Sequence, residues 1–441
     1  LDYIHPSKIG ELLRKRRKEL GLRLEDLADE FVSPSTISNI ERGITYVNEE
    51  KVRYVADKLG VELDRIHELL EKEKQEEEQL ELRLSAVESM IDLVGPDKGL
   101  ERLRKLNIQG NHALACVAHF LRGKIYLAKK NWVKAQNHFL EAIRIVDQKP
   151  ERLHTNIKAA SYQELGKIAL MFHKDPGQAL RYVDEGLEAF QEDGDRAHCR
   201  YTLLISRINY LEMLDRIEEA LHQIHDLWNE MERIDNVETV LELYGTRVRI
   251  LDRLKLHEEA VRYAVRGIEL ARVNRKMEQA CGLWMMLGRV YISREKWGEA
   301  EHCFQTALGI QEKLRSDRIK AEIFTRLGQI RLRRGELEDA RSMLSRAAEA
   351  VEGTPISGEF GEIWLLLGDT YRFENRFDEA EKLYLKALEV SEDARKEERR
   401  NILLRLAVCQ ERTDPEKFSD TLRKIYHIDL ESEVSGDELP A

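Results

Sequence analysis

Apolar residues recur at helical spacing through almost the whole chain and nowhere alternate with polar ones for more than a few positions. The first block sets the pattern. Ile9, Leu12, Leu13 and Leu20, with the basic run 14–18 between them, predict a helix over 7–20. Leu24 to Phe31 predict a short second helix. Ser33 and Pro34 then mark a helix start, because serine accepts from the free N–H groups of a first turn and proline lacks the N–H that would go unsatisfied there. Ile37 and Ile40 face inward at i, i+3, and Gly43 is a stop. That leaves Ser35, Thr36, Ser38 and Asn39 short, polar and outward. Residues 71–83 are highly charged and contain no Pro or Gly, which predicts a solvated helical connector.

From about residue 84 the sequence repeats itself. Ala220, Ala260, Ala300, Ala340 and Ala380 are each 40 apart, and Ala135 and Ala179 extend the series upstream. Around Ala300 stand Trp284, Leu287, Gly288 and Tyr291, then Phe304 and Ala307. Around Ala380, at identical spacing, stand Trp364, Leu367, Gly368 and Tyr371, then Tyr384 and Ala387. The logic is packing: small residues let two helices approach, and large ones fill the gaps beside them. This arrangement resembles the tetratricopeptide repeat (TPR), here longer than its usual length of about 34 residues. Seven clear units fall near 113–148, 156–192, 198–232, 238–272, 278–314, 318–352 and 358–393. A weaker unit precedes them (84–107) and a degenerate helix pair (396–427) caps the end. The expected division is 1–70, a connector at 71–83, repeats over 84–428, and an acidic tail over 429–441.

Composition narrows the class. Of 441 residues 35% are charged, the net charge is −11, and only eight are proline. No apolar run approaches the roughly 18–20 residues of a membrane span, and no secretory pattern opens the chain, which starts on Leu1 as though trimmed. The five cysteines are far apart, with no CxxC pair, which favours reduced core thiols in a cytoplasmic protein over disulfides or zinc. No phosphate-binding loop, HExxH, GxSxG or metal-ligand spacing is present, so neither an enzyme nor a cofactor or metal site is expected. The acidic total excludes nonspecific coating of nucleic acid but not a local DNA-reading face.

Residues 7–70 resemble the XRE (Cro/repressor-like) helix-turn-helix family. The matching residues are Ile9-Gly10, Arg17, Gly21, Leu27-Ala28, and Thr36-Ile37-Ser38 followed by Ile40-Glu41 and Gly43. The resemblance implies a structural pair between Arg17 and Glu41, and a helix that enters the major groove. Candidate DNA contacts are Arg23, Ser33, Ser35, Thr36, Ser38, Asn39 and Arg42. Two positions depart from the family: Leu24 stands where Gln is usual, so that residue's usual contact is either missing or supplied by a neighbour such as Arg23, and Arg16 stands where an apolar residue is usual. The first 70 residues carry 12 basic and 14 acidic side chains, so one copy binds DNA weakly and a homodimer reading two half-sites of operator DNA is expected. The fold class is all-α: a five-helix helix-turn-helix domain followed by a right-handed TPR superhelix.

The repeat register places a set of polar residues on the inner face of the first helices. These include Ser206, Asn209, Glu242, Arg249 and Asp252, then Arg289, Arg326, Gln329 and Asp369, with Met285 and Met286 as an apolar patch. Amides pair with a peptide backbone and arginine with a carboxylate, so a short extended peptide suits such a face. A helix-turn-helix followed by repeats of about 40 residues resembles the RRNPP family of peptide-pheromone receptors, and most closely its NprR-like and PlcR-like layouts. The resemblance implies a quorum-sensing transcription regulator with a short signalling oligopeptide as ligand and dimerisation partly through the repeats. It singles out Asn209 as the grip on the peptide backbone. Two alternatives remain. One is a Rap-like protein that binds response regulators, for which Gln75, Gln79 and Gln109 are candidates. The other is a TPR scaffold for a protein partner.

Overall fold

A computed structural model describes residues 6–44, 48–61, 63–110, 112, 114–354, 360–390 and 396–434. Among these residues every regular element is helical, and none is long and apolar enough to cross a membrane. Two compact units divide the chain, Leu1–Lys149 and Pro150–Ala441.

The first unit holds α1 (Pro6–Glu19), α2 (Leu24–Leu27), α3 (Pro34–Glu41), α4 (Glu49–Lys58), α5 (Leu63–Leu93), α6 (Pro96–Leu106), α7 (Ala115–Ala128) and α8 (Trp132–Gln148). Ile9 and Leu13 of α1 are buried with Leu27, Ile37, Ile40 and Val55 in one small core. Leu20, the last apolar position of the predicted helix, lies past the end of α1 and is 45% exposed. The second helix is also shorter than its apolar pattern suggests. It ends at Leu27 because Asp29 Oδ1 captures the N–H groups of Phe31 and Val32, which a continuing helix would need for itself. Helix α5 runs unbroken through the charged stretch 71–83.

The second unit stacks helix pairs: α9 (Ile157–Met171) with α10 (Pro176–Ala189), α11 (His198–Met213) with α12 (Ile217–Asn229), and α13 (Val237–Arg253) with α14 (His257–Val273). They continue as α15 (Met277–Ser293) with α16 (Trp297–Leu314), α17 (Asp317–Arg333) with α18 (Leu337–Val351), α19 (Gly361–Phe373) with α20 (Phe377–Val390), and α21 (Lys396–Thr413) with α22 (Pro415–Val434). The residues beyond the usual TPR length lengthen the helices, which reach 17 or 18 residues while connections such as 254–256 stay short.

Sterics explain the periodic residues. A Cβ on Gly288 would lie 2.7 Å from the ring of Phe304, and one on Gly368 would lie 2.5 Å from Tyr384. Both rings are fully buried, so the glycines create the space the rings occupy. Burying a phenylalanine this way stabilises by about 1.5–3 kcal/mol. The turn inside each pair also repeats: Asp215, Lys255, Glu295, Gly335 and Asn375 all have positive φ, 40 residues apart.

Candidate functional site

The helix-turn-helix face is built from its charged tie outward. Gly10 of α1 lies so close to the carbonyls of Ile40 and Glu41 that a side chain there would collide with backbone. This contact carries Arg17 to Glu41. Arg17 Nε donates to Glu41 Oε1 at 2.6 Å, Nη2 to Oε2 at 2.9 Å, and Nη1 to the Leu22 carbonyl at 2.8 Å. The fork is bidentate and nearly buried, as the resemblance implied, and the hydrogen bond to Glu41 raises the arginine's pKa against the opposing effect of burial. On the far side Lys58 and Tyr54 both donate to Asp29, which holds that carboxyl far below the usual range.

With the scaffold fixed, the outward residues fall into two groups. At the start of α3, Ser33 Oγ accepts from the Thr36 N–H at 3.2 Å and meets the hydroxyls of Ser35 and Thr36 at 2.8 and 2.9 Å. At its end, Arg42 Nη2 donates to Asn39 Oδ1 at 2.9 Å, and Ser38 is half-buried between the groups. Arg23 is exposed just before α2, while Leu24, the departure from the family, packs against the small core. Arg16, the other departure, is exposed and pairs with Glu19.

In the second unit the first helices of the pairs form the polar face that the repeat register outlines. Asn209 and Arg249 come together there: Asn209 Oδ1 accepts from Arg249 Nη2 at 2.5 Å and from Thr246 Oγ1 at 3.2 Å. Arg249 also pairs with Glu212 at 3.1 Å. The asparagine carbonyl is thus engaged, leaving its NH2 group available. Ser206 lies half-buried one turn before it. Asp252 joins adjacent pairs, accepting from Ser293 Oγ at 3.3 Å beside His257. Arg326 grips Glu362 with two bonds of 2.7 and 2.8 Å and donates to Gln329. Arg289 stands apart, exposed, with Glu322 at 3.9 Å.

Asp369 does not lie on an open wall. It is only 4% exposed and accepts from Tyr384 Oη at 2.8 Å and from Arg405 Nε at 3.0 Å, so it ties α19, α20 and α21 together. The register placed it correctly around the helix, but the next pair covers it. Met285 is likewise buried, and Met286 is the methionine that reaches the surface cleft.

That cleft, of about 460 Å³, opens over α11, α13 and α15. Thr239, Glu242, Glu278, Gln279 and Gly282 line it along with Arg249 and Met286. Of these, Thr239, Glu278, Gln279 and Gly282 were not singled out by the repeat register. The signal for part of it was present: Gly245 and Gly282 sit inside helices, where glycine costs about 1 kcal/mol relative to alanine. The carboxyl of Glu242 is pushed above its ordinary range by the protein around it, an effect that Arg249 and Lys167 oppose. All five cysteines are buried, and burial raises the thiols of Cys199 and Cys303 to about 12, which makes them inert core residues.

Residues 13–66 match the helix-turn-helix family, and residues 278–352 and 325–397 match two tetratricopeptide-repeat families. The chain carries an XRE-type helix-turn-helix module and tetratricopeptide repeats. Solved structures resemble the chain in fold. The apo form of the quorum sensor NprR from B. thuringiensis is 13% identical, with a TM-score of 0.56 over 85% of this chain and 99% of that one. A Rap protein complexed with competence and sporulation factor is also 13% identical, with a TM-score of 0.53 over 80% and 98%. The apo form of RapI is 14% identical, with a TM-score of 0.50 over 62% and 97%. At such identities the likeness is one of fold. No curated protein matches the chain in sequence. The helix-turn-helix module thus contains the Arg17–Glu41 fork, and the cleft lies on the first helices of the repeats.

Proposed function

We propose that this chain is a peptide-responsive transcription regulator of the RRNPP type, acting in the cytoplasm as a homodimer. The observation that carries the reading is the presence, in one chain, of a braced helix-turn-helix and of a polar cleft across three successive first helices. The NprR neighbour is described as a quorum sensor and the Rap neighbour as a complex with competence and sporulation factor, which supports the same assignment. Ser38 and Asn39 read base edges, since short polar side chains on α3 reach them once the helix lies in the major groove. Arg23, Ser33, Ser35, Thr36 and Arg42 contact the phosphate backbone.

In the repeats, Asn209 NH2 and Ser206 hold the peptide backbone, while Arg249, Asp252, Arg289, Arg326 and Gln329 set its charge preference. Asp369 is left out of this set because it is buried. Peptide shifts operator binding only if it binds one arrangement of the dimer better than another.

Two measurements test the reading. Selection of random duplex DNA by the full-length protein enriches paired half-sites spaced by about one helical turn, and Asn39→Ala relaxes the preference within each half-site. Calorimetry then measures operator affinity with and without the peptide that copurifies from the source organism. Selection that yields no motif, or a peptide with no effect on operator affinity, refutes the proposal.

A further inference from the structure

One position of the repeat is filled in two chemically different ways. Thirteen residues before Ala300, Ala340 and Ala380 stand Leu287, Leu327 and Leu367, all buried. Thirteen residues before Ala220 and Ala260 the same position holds Arg207 and Arg247. Both arginines project from a first helix towards second helices, Arg207 to α10 and Arg247 to α12 and α14.

The first arginine is satisfied. Arg207 Nε donates to Asp184 Oδ1 at 2.6 Å, and that carboxylate lies on the preceding second helix, five residues after Ala179. The other arginine is not. Five residues after Ala220 the chain has His225 in place of an aspartate. The Arg247 guanidinium lies in the corner between the rings of Trp228 and Tyr263, 4.3 and 4.1 Å from their centres, and the two rings are inclined at 73°. Such rings attract a cation through their faces but give its N–H groups no oxygen acceptor. Nε and Nη1 are buried without a hydrogen bond, which leaves Nη2 to reach the surface. Glu259 is near enough to favour the charge, yet it pairs with Arg262 at 3.8 Å, and burial outweighs its help and lowers the arginine's pKa. A leucine avoids this cost, as it does in three later repeats. Arg207 shows, in the same chain, that an arginine at this position takes a carboxylate.

The surroundings narrow the source of that carboxylate. Beside the corner, α14 exposes Arg262, Val265 and Arg266, a basic and apolar face on a chain of net charge −11. A free carboxylate held by one nitrogen gains too little to offset the freedom it loses, whereas one carried on a larger surface is positioned by the contacts around it. A twofold contact between copies at this face sets its arginines against one another.

In addition to the peptide and operator, we propose that the face of α12 and α14 around Arg247 docks a different protein through an aspartate or glutamate side chain, which meets Nη2 as Asp184 meets Arg207. Trp228 and Tyr263 shield the pair from water, and Arg262 and Arg266 steer the acidic surface towards it.

The test uses the full chain and two pools of short synthetic peptides, random except for a central Glu in one and Gln in the other, with retention read by mass spectrometry. Wild type retains the Glu pool about tenfold better, the size of one charge-assisted hydrogen bond. Arg247→Leu retains the two pools equally and its urea midpoint does not fall, since leucine fits the position elsewhere. His225→Asp supplies the carboxylate from within, so its midpoint rises and the Glu preference disappears.

Equal retention of the two pools by wild type overturns the proposal, and so does a Glu preference that survives in Arg247→Leu or in His225→Asp. A lower midpoint in Arg247→Leu means that the rings alone satisfy the arginine, which removes the premise. Weaker self-association of Arg247→Leu in sedimentation assigns the face to a contact between copies and overturns the separate partner. Displacement of the Glu pool by inorganic phosphate as readily as by unlabelled Glu peptide reduces the corner to an unspecific anion sink and also overturns it.

Discussion

Replacing Arg17 with methionine removes the charge from the fork at the centre of the helix-turn-helix while keeping most of the side chain's length. Its partner then remains as a carboxylate whose side chain is only 6% exposed. At about 4 Å between charge centres and an effective dielectric near 20, the lost attraction is about 4 kcal/mol. Breaking one side of a buried pair costs about 3–5 kcal/mol by measurement on comparable pairs. The Leu22 carbonyl also loses its donor. A module of this size is stable by about 0.05–0.15 kcal/mol per residue, so the loss rivals its whole stability. Hydrogen exchange on the full-length chain is the direct assay: amides of α1 to α4 lose protection in Arg17→Met, while those of α13 to α18 serve as an internal reference. The double variant Arg17→Met/Glu41→Leu removes both charges and recovers most of the protection, because nothing charged is left buried. If the single variant costs less than about 1 kcal/mol, the pair is screened like a surface ion pair and the argument fails. It also fails if the double variant is no better than the single.

Three further outcomes follow from the packing. Gly288→Val places a methyl-bearing carbon against the buried ring of Phe304 and lowers the stability of the second unit by at least about 1–3 kcal/mol, read as a shift in the urea midpoint; an unchanged midpoint means the helices can separate freely there. Glu295 holds φ +56° in a turn where Gly335 serves in the next repeat, so Glu295→Gly relieves a left-handed strain of about 1–2 kcal/mol. Glycine's greater freedom when unfolded offsets part of this, and a small rise in melting temperature is expected, whereas a fall refutes the strain argument. Finally, His138 stacks on Tyr126 with its Nδ1 3.2 Å from that of His119, and burial followed by repulsion from His119 lowers its pKa to about 4. The unfolded chain takes up this proton near pH 6.5 and the folded one only near 4. Stability is therefore complete above pH 6.5 and falls as the pH drops towards 4, by roughly 2 kcal/mol after allowance for partial exposure. His138→Phe flattens that slope in urea titrations of the first unit, and a slope that persists in the variant assigns the proton elsewhere.

Local chemistry and periodicity were readable along the chain because each is written within a few neighbouring residues. Ser33 and Pro34 start a helix wherever they stand together, and a small residue every 40 positions implies paired helices whatever lies between. The Arg17–Glu41 tie was legible only through resemblance, since nothing in the sequence between two residues 24 positions apart forces them to meet. Even in the helix-turn-helix a local pattern misled: the apolar run Leu24 to Phe31 reads as helix until Asp29 takes the backbone N–H groups beyond it.

The tertiary structure decided which outward-facing side chains are free. Angular position around a helix is fixed by sequence, but whether the neighbouring pair covers that position depends on contacts made some 40 residues away. Asp369 and Asn209 occupy similar register positions, yet Arg405 and Tyr384 close over the first, while the second keeps its NH2 group free beside Arg249. The cleft formed by Thr239, Glu242, Glu278 and Gly282 exists only where α13 and α15 lie side by side. Partners for charge are chosen across helices, and the charges left over after that choice are visible only once the helices are packed.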